Sequence, residues 1–291
     1  MKQDYGLSSF QPSYQFLVCI DSDGCAFDTM EIKHKECFCP ATIYGWGLQA
    51  VSKYAREVWE YTNLYSGTRG LNRFSTLLST LQLLEEREEV KEYGADFTFP
   101  SYGSLAAWVQ SGSPKTNQWL QEHQDDSTLA RTLQWSLQCN ERIAQMVHGI
   151  PPFPGVRECL AEISRFADIA VVSATSHSAL MKEWAEHDLL KYSKVVCGQE
   201  TGSKQECIAR LLAHYAPQNI IMVGDSLGDL AAANANGTLF YPIRLNDEIR
   251  SWREFRTVAQ SSFPQGSYKE KEEGAYIQAF KQLLPNTPPW L

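Results

Sequence analysis

Near the start of the chain, the apolar run Phe16-Leu17-Val18-Cys19-Ile20 is followed directly by Asp21-Ser22-Asp23-Gly24. The run reads as a strand buried on both faces, and ligands of open α/β sheets bind at the carboxyl ends of such strands. A carboxylate at that edge can attack phosphorus, and a second one two residues on is placed to protonate the leaving group. An acidic turn closing a strand has the same composition, so this stretch does not by itself separate chemistry from punctuation.

A matching stretch lies far downstream, Ile220-Ile221-Met222-Val223-Gly224-Asp225-Ser226-Leu227-Gly228-Asp229. Two acidic strand ends can share one metal ion. Between them, Ile169-Ala170-Val171-Val172 ends in Ser173-Ala174-Thr175-Ser176, where a hydroxyl and the N–H groups opening a helix can hold phosphate. Lys204 follows the strand-like run 194–198 and Gly202-Ser203. Taken singly, Ser173 also reads as a strand-end turn and Lys204 as a surface lysine.

In this order the four signals resemble the haloacid dehalogenase-like hydrolase superfamily: Asp-x-Asp, Ser or Thr, Lys, and Gly-Asp with a further acid. The resemblance covers roughly residues 14–30 and 150–245. Cys25 stands where the family usually has Thr or Val, and the prolines often found beside the lysine are missing. The resemblance implies a Mg²⁺-dependent phosphatase acting on a small phosphorylated metabolite through a phospho-aspartyl intermediate. Asp21 would be the nucleophile and Asp23 the acid and base. Ser173, Lys204 and the Ala174 N–H would hold the phosphoryl oxygens. Mg²⁺ would rest on Asp21, the Asp23 carbonyl and Asp225, with Asp229 positioning a metal-bound water. Dehalogenases and phosphonatases of the family lack the second aspartate. A phosphomutase of the same architecture and a non-catalytic phosphate-binding or regulatory protein are the rival readings.

These residues need a scaffold, and the chain supplies it in two pieces. After 150 the pattern alternates: helix 156–166, strand 169–174, helix 178–190, strand 194–198, helix 204–215, strand 220–225, helix 228–236, strand 238–243. Such alternation predicts a Rossmann-like, doubly wound parallel sheet, an α/β core. The intervening gap is helical in pattern. Val51, Tyr54, Ala55, Val58, Trp59 and Thr62 form one face; Leu71, Phe74, Leu77, Leu78, Leu81 and Leu84 form another. A third stripe runs Leu129, Leu133, Leu137, Ala144, Val147, broken at Asn140. The expected organisation is a discontinuous core, 1–28 and 150–291, with an all-helical insertion at 29–149. By the resemblance this insertion is a cap closing over the active site. Gly149-Ile150-Pro151-Pro152-Phe153-Pro154-Gly155 cannot continue a helix and marks the exit.

Within the insertion, Arg69 lies in the glycine-bounded loop Tyr65-Ser66-Gly67-Thr68-Arg69-Gly70, and Arg73 follows. Either can bring a guanidinium to an anionic group on the substrate, or pair with acids of the insertion itself. His177, after the hydroxyl motif, is a further candidate for phosphate. Glu85-Glu86-Arg87-Glu88-Glu89 reads as a solvated helix face or end.

A chain of 291 residues with net charge −8 is large enough for two domains and is poorly suited to nonspecific nucleic-acid binding. No apolar stretch approaches the ~18 residues of a membrane span, and the first residues lack the apolar region of a signal peptide. A cytoplasmic protein, monomer or homodimer, is the expectation. Of the eight cysteines, Cys37 and Cys39 alone have the spacing of a ligand pair, and a structural zinc site needs four ligands.

Overall fold

A computed structural model describes residues 4–291. The chain divides into two compact units, one built from Met1–Thr29 and Gly149–Pro285, the other from Met30–His148 and Asn286–Leu291.

The first unit is a five-stranded sheet with β1 Phe16–Ile20, β2 Ala167–Val172, β3 Val195–Cys197, β4 Ile220–Gly224 and β5 Leu239–Pro242. All neighbouring strands run parallel in the order β3-β2-β1-β4-β5. The chain therefore builds outward from β1 on one side and then returns to build on the other. The switch in direction falls between β1 and β4, where open sheets form their binding crevice. Register fixes the heights at that crevice: Ile20 stands beside Val171 on β2 and Val223 on β4. The residues after these three strands therefore emerge next to one another.

Strand side chains alternate between two buried faces. Val18, Ile20, Ile169, Val171, Ile221 and Val223 pack with Leu160, Trp184, Trp252 and Phe255 on one side. Leu17, Cys19, Ala170, Val172, Ile220 and Met222 pack with Cys207, Ile208 and Leu211 on the other. Helices on both faces explain why the strands are continuous apolar runs rather than alternating ones. The strands are shorter than their sequence patterns at the carboxyl end. Ser173 and Asp225 come one residue after the ends of β2 and β4, on the rim.

The second unit is helical. Its main elements are Ser52–Asn63, Arg73–Glu86 and Ser127–Met146. The last two begin at side-chain caps: Asn72 accepts the Phe74 N–H, and Asp126 accepts those of Thr128 and Leu129. An aromatic cluster of Phe38, Trp59, Phe74, Trp108 and Trp135 fills the core, and Trp135 Nε1 donates to Thr42 Oγ1 at 2.9 Å. The third stripe differs from its sequence pattern. Leu129 and Leu133 are buried, whereas Leu137 is 41 % exposed and Cys139 takes the inward place. Two polar residues mark the shift: the buried Ser136 and the exposed Asn140 both accept from Arg73.

The sequence pattern carries 150–291 as core, but Asn286–Leu291 group with the helical unit. Trp290 packs edge-on against Tyr61 and lies 4.7 Å from the Arg87 guanidinium. All eight cysteines are buried, and none of them forms a disulfide. Among the described residues no helix is long and apolar enough to cross a membrane.

Candidate active site

The rim of the sheet gathers the acidic residues. Asp21 continues the β1–β4 ladder one residue past the strand, its N–H donating to the Val223 carbonyl at 3.0 Å. Ser173 does the same between β2 and β3, donating to the Cys197 carbonyl at 3.0 Å. These bonds fix the backbone from which each side chain projects.

Asp21, Asp225 and Asp229 are buried, and each offers a carboxylate oxygen within 4.8 Å of the others. Lys204 binds two of them, its Nζ 2.6 Å from Asp21 Oδ2 and 2.5 Å from Asp229 Oδ1. Lys204 is placed by the loop after β3 and by a capping box, in which Ser203 and Glu206 exchange bonds at the helix start. Asp229 is fixed in the same way, with Oδ2 accepting from Ser226 N and Oγ. Asp21 Oδ1 accepts the Ser22 N–H at 2.8 Å.

Burial pushes the Asp21 carboxyl up to about 7, with Lys204 opposing the rise and Asp229 and Asp225 adding to it. Burial also works against the Lys204 ammonium, but Asp21 and Asp229 outweigh it and hold that pKa above its ordinary value. Lys204 thus binds two of three buried carboxylates, and Asp225 and Asp229 still crowd Asp21 with like charge that a shared cation would relieve. The donors are all hard oxygens, the set that Mg²⁺ takes. The residues fit that ion.

Asp23 is partly buried and its side chain is engaged apart from the cluster of three. Oδ1 accepts from Thr29 Oγ1 at 2.5 Å and Oδ2 from Thr175 Oγ1 at 2.7 Å. The turn that presents it depends on Gly24, at φ +75°, whose N–H donates to the Phe27 carbonyl at 2.8 Å. Between the two aspartates, the buried Ser22 accepts from Trp184 Nε1 at 2.9 Å and donates to Glu183 at 2.7 Å. Ala174 is exposed, and among the described residues its N–H meets no protein acceptor.

The other candidates are engaged within their own units. The His177 N–H donates to Glu200 at 2.8 Å, and its ring stacks on Tyr5 at 3.6 Å with Nδ1 3.1 Å from the Val196 carbonyl. Buried Arg69 donates to the Leu64 carbonyl at 3.1 Å. Arg73 binds Ser136 and Asn140, the latter at 2.6 Å, and lies 4.9 Å from the Phe38 ring centre. Thr29, Thr175, Glu183 and Trp184 were not singled out from sequence. Thr175 stands in the hydroxyl-rich run after β2, the one signal that pointed its way.

A family model described as haloacid dehalogenase-like hydrolase matches residues 17–237. Among solved structures, the chain is similar to a subfamily IA hydrolase of that superfamily from Geobacter sulfurreducens, 18% identical. The alignment covers 80% of this chain and 90% of that one, at TM-score 0.41. It is also similar to a haloacid dehalogenase-like hydrolase from Streptococcus pneumoniae, at 13% identity, 82% and 90% coverage and TM-score 0.49. A haloacid dehalogenase-like hydrolase from Xanthomonas campestris gives 13% identity, 89% and 96% coverage and TM-score 0.48. No curated protein matches the sequence.

Proposed function

This chain belongs to the haloacid dehalogenase-like hydrolase family, and on that premise we propose that it is a Mg²⁺-dependent phosphatase of small phosphorylated metabolites. The observation that carries the proposal is the placing of Lys204 between Asp21 and Asp229 on the sheet rim, with Asp225 in the same buried cluster.

Asp21 attacks phosphorus in line with the departing alkoxide and becomes a phospho-aspartyl group. Asp23 gives its proton to the leaving oxygen, then takes one from the water that cleaves the acyl phosphate. Ser173 Oγ, the Ala174 N–H and Lys204 Nζ hold the phosphoryl oxygens, and Lys204 offsets the charge of Asp21 as the anion approaches. Asp21, Asp225 and the Asp23 carbonyl would hold Mg²⁺, with Asp229 orienting the site. The bound ion would screen the phosphoryl charge and favour ionised Asp21. The helical unit, inserted directly after the first motif, is the cap that selects the substrate.

The test is phosphate release from a panel of phosphorylated metabolites, with Mg²⁺ and with EDTA, for wild type and Asp21→Asn. Turnover that needs the metal and is lost in the variant is expected. Equal, negligible release from both proteins across the panel overturns the proposal. Phosphoryl transfer to a second metabolite without release would make the enzyme a mutase.

A further inference from the structure

We infer that Thr29 and Thr175 are positioning residues that clamp Asp23 in the orientation its proton transfers require, an inference that rests on the phosphatase reading above. Each hydroxyl binds a different oxygen of the one carboxylate, Thr29 at 2.5 Å from Oδ1 and Thr175 at 2.7 Å from Oδ2. They reach it from two separate parts of the chain. Thr29 is fully buried and is the last residue before the helical unit; Thr175 belongs to the segment after β2.

Thr175 is itself held. Its carbonyl accepts the Gln199 N–H at 2.9 Å, and its own N–H lies 3.4 Å from Ser173 Oγ. Asp23 is therefore tied to the segment that carries Ser173 and Ala174, so the acid and the phosphate-holding groups keep a common frame. A partly exposed aspartate without such ties has several rotamers open to it, and small misplacements of a reacting group are costly.

Hydroxyl partners suit a carboxyl group that must alternately lose and gain a proton. A hydroxyl both donates and accepts, so either threonine can turn its hydrogen away when the oxygen it faces is protonated. The heavy atoms stay where they are. An ammonium or amide N–H in the same place offers no acceptor and would oppose the protonated state.

The clamp makes a prediction specific to proton donation. An alkoxide leaving group needs the proton; 4-nitrophenolate leaves without it. The experiment measures kcat for 4-nitrophenyl phosphate and for three alkyl esters, glycerol 3-phosphate, glucose 6-phosphate and 2-phosphoglycolate. It compares wild type with Thr29→Val, Thr175→Val, Thr175→Ala and Thr175→Ser. In the valine and alanine variants the ratio of aryl to alkyl kcat should rise about tenfold or more, part of the range general acid catalysis spans. Serine, which restores the hydroxyl, should bring the ratio back to within about twofold of wild type. Each ratio is taken on one preparation, so loss of folded protein cancels, and alanine serves if valine cannot be housed. A ratio unchanged in the valine and alanine variants, whatever the absolute loss, overturns the clamp while the phosphatase stands. Wild type that releases phosphate from none of the four esters overturns the phosphatase reading and the clamp with it.

Discussion

A Cβ on Gly224 would lie 2.3 Å from Asp229 Cγ. The carboxylate that Lys204 binds rests directly on the backbone at the end of β4, in space that only glycine leaves open. Gly224→Ala should push that carboxylate away and loosen the whole cluster. Overpacking of this kind costs about 1–3 kcal/mol, and activity should fall by more than about tenfold. Urea denaturation alongside phosphate release checks both, and a variant with wild-type values would refute the close packing.

Lys204→Met removes the ammonium while leaving Asp21 and Asp229 buried. Breaking a buried pair from one side costs about 3–5 kcal/mol, because the partner charge stays behind unpaired. In EDTA at neutral pH the urea midpoint should fall accordingly. Added Mg²⁺ should recover more stability in this variant than in wild type, since the ion relieves the same excess charge.

Acid should weaken the helical unit through Arg87. The guanidinium holds the exposed Glu89 carboxyl at about 2, well below its ordinary value of about 4.5, chiefly by a direct hydrogen bond. A carboxyl lowered on folding stabilises the folded form above its unfolded pKa and loses that contribution as pH falls towards the folded one. The loss therefore runs from near 4.5 down to near 2. Glu89→Gln should melt lower than wild type at pH 6, and the gap should narrow at pH 3.

Native protein should resist thiol reagents. All eight cysteines are buried, and burial pushes the thiols of Cys39 and Cys139 up to about 12. With little thiolate and no access, labelling by a chromogenic disulfide at pH 8 should await unfolding, then reach eight groups. Rapid labelling of any one thiol in the native state would contradict the packing described.

Much of the rim was legible because strand periodicity and acidic strand ends are short-range patterns. Val18 to Ile20 and Ile221 to Val223 are buried on both faces, so their apolar runs announce the strands, and Asp21 and Asp225 mark where each run stops. The clamp on Asp23 was not legible, because nothing in a threonine at 29 signals a partner at 23 and a second hydroxyl at 175. The stripe of Ser127–Met146 misled because leucines were counted as the inward residues. Leu137 faces out, while Asn140, which looked like an interruption, answers Arg73. Arg87 hid inside a run of glutamates that reads as solvated, although it is 5% exposed and binds Glu57 and Glu89.

The central place of β1 has a consequence for synthesis. Phe16 pairs with Ala167 and Leu17 with Ile220, so the strand carrying Asp21 emerges first from the ribosome and waits longest for both its neighbours. The helices of residues 30–148 are complete before either neighbour exists. Contacts so distant along the chain form slowly, and an unpaired apolar strand is open to wrong partners meanwhile. For the nascent chain, Phe16–Ile20 is the stretch most in need of shelter until β4 is made.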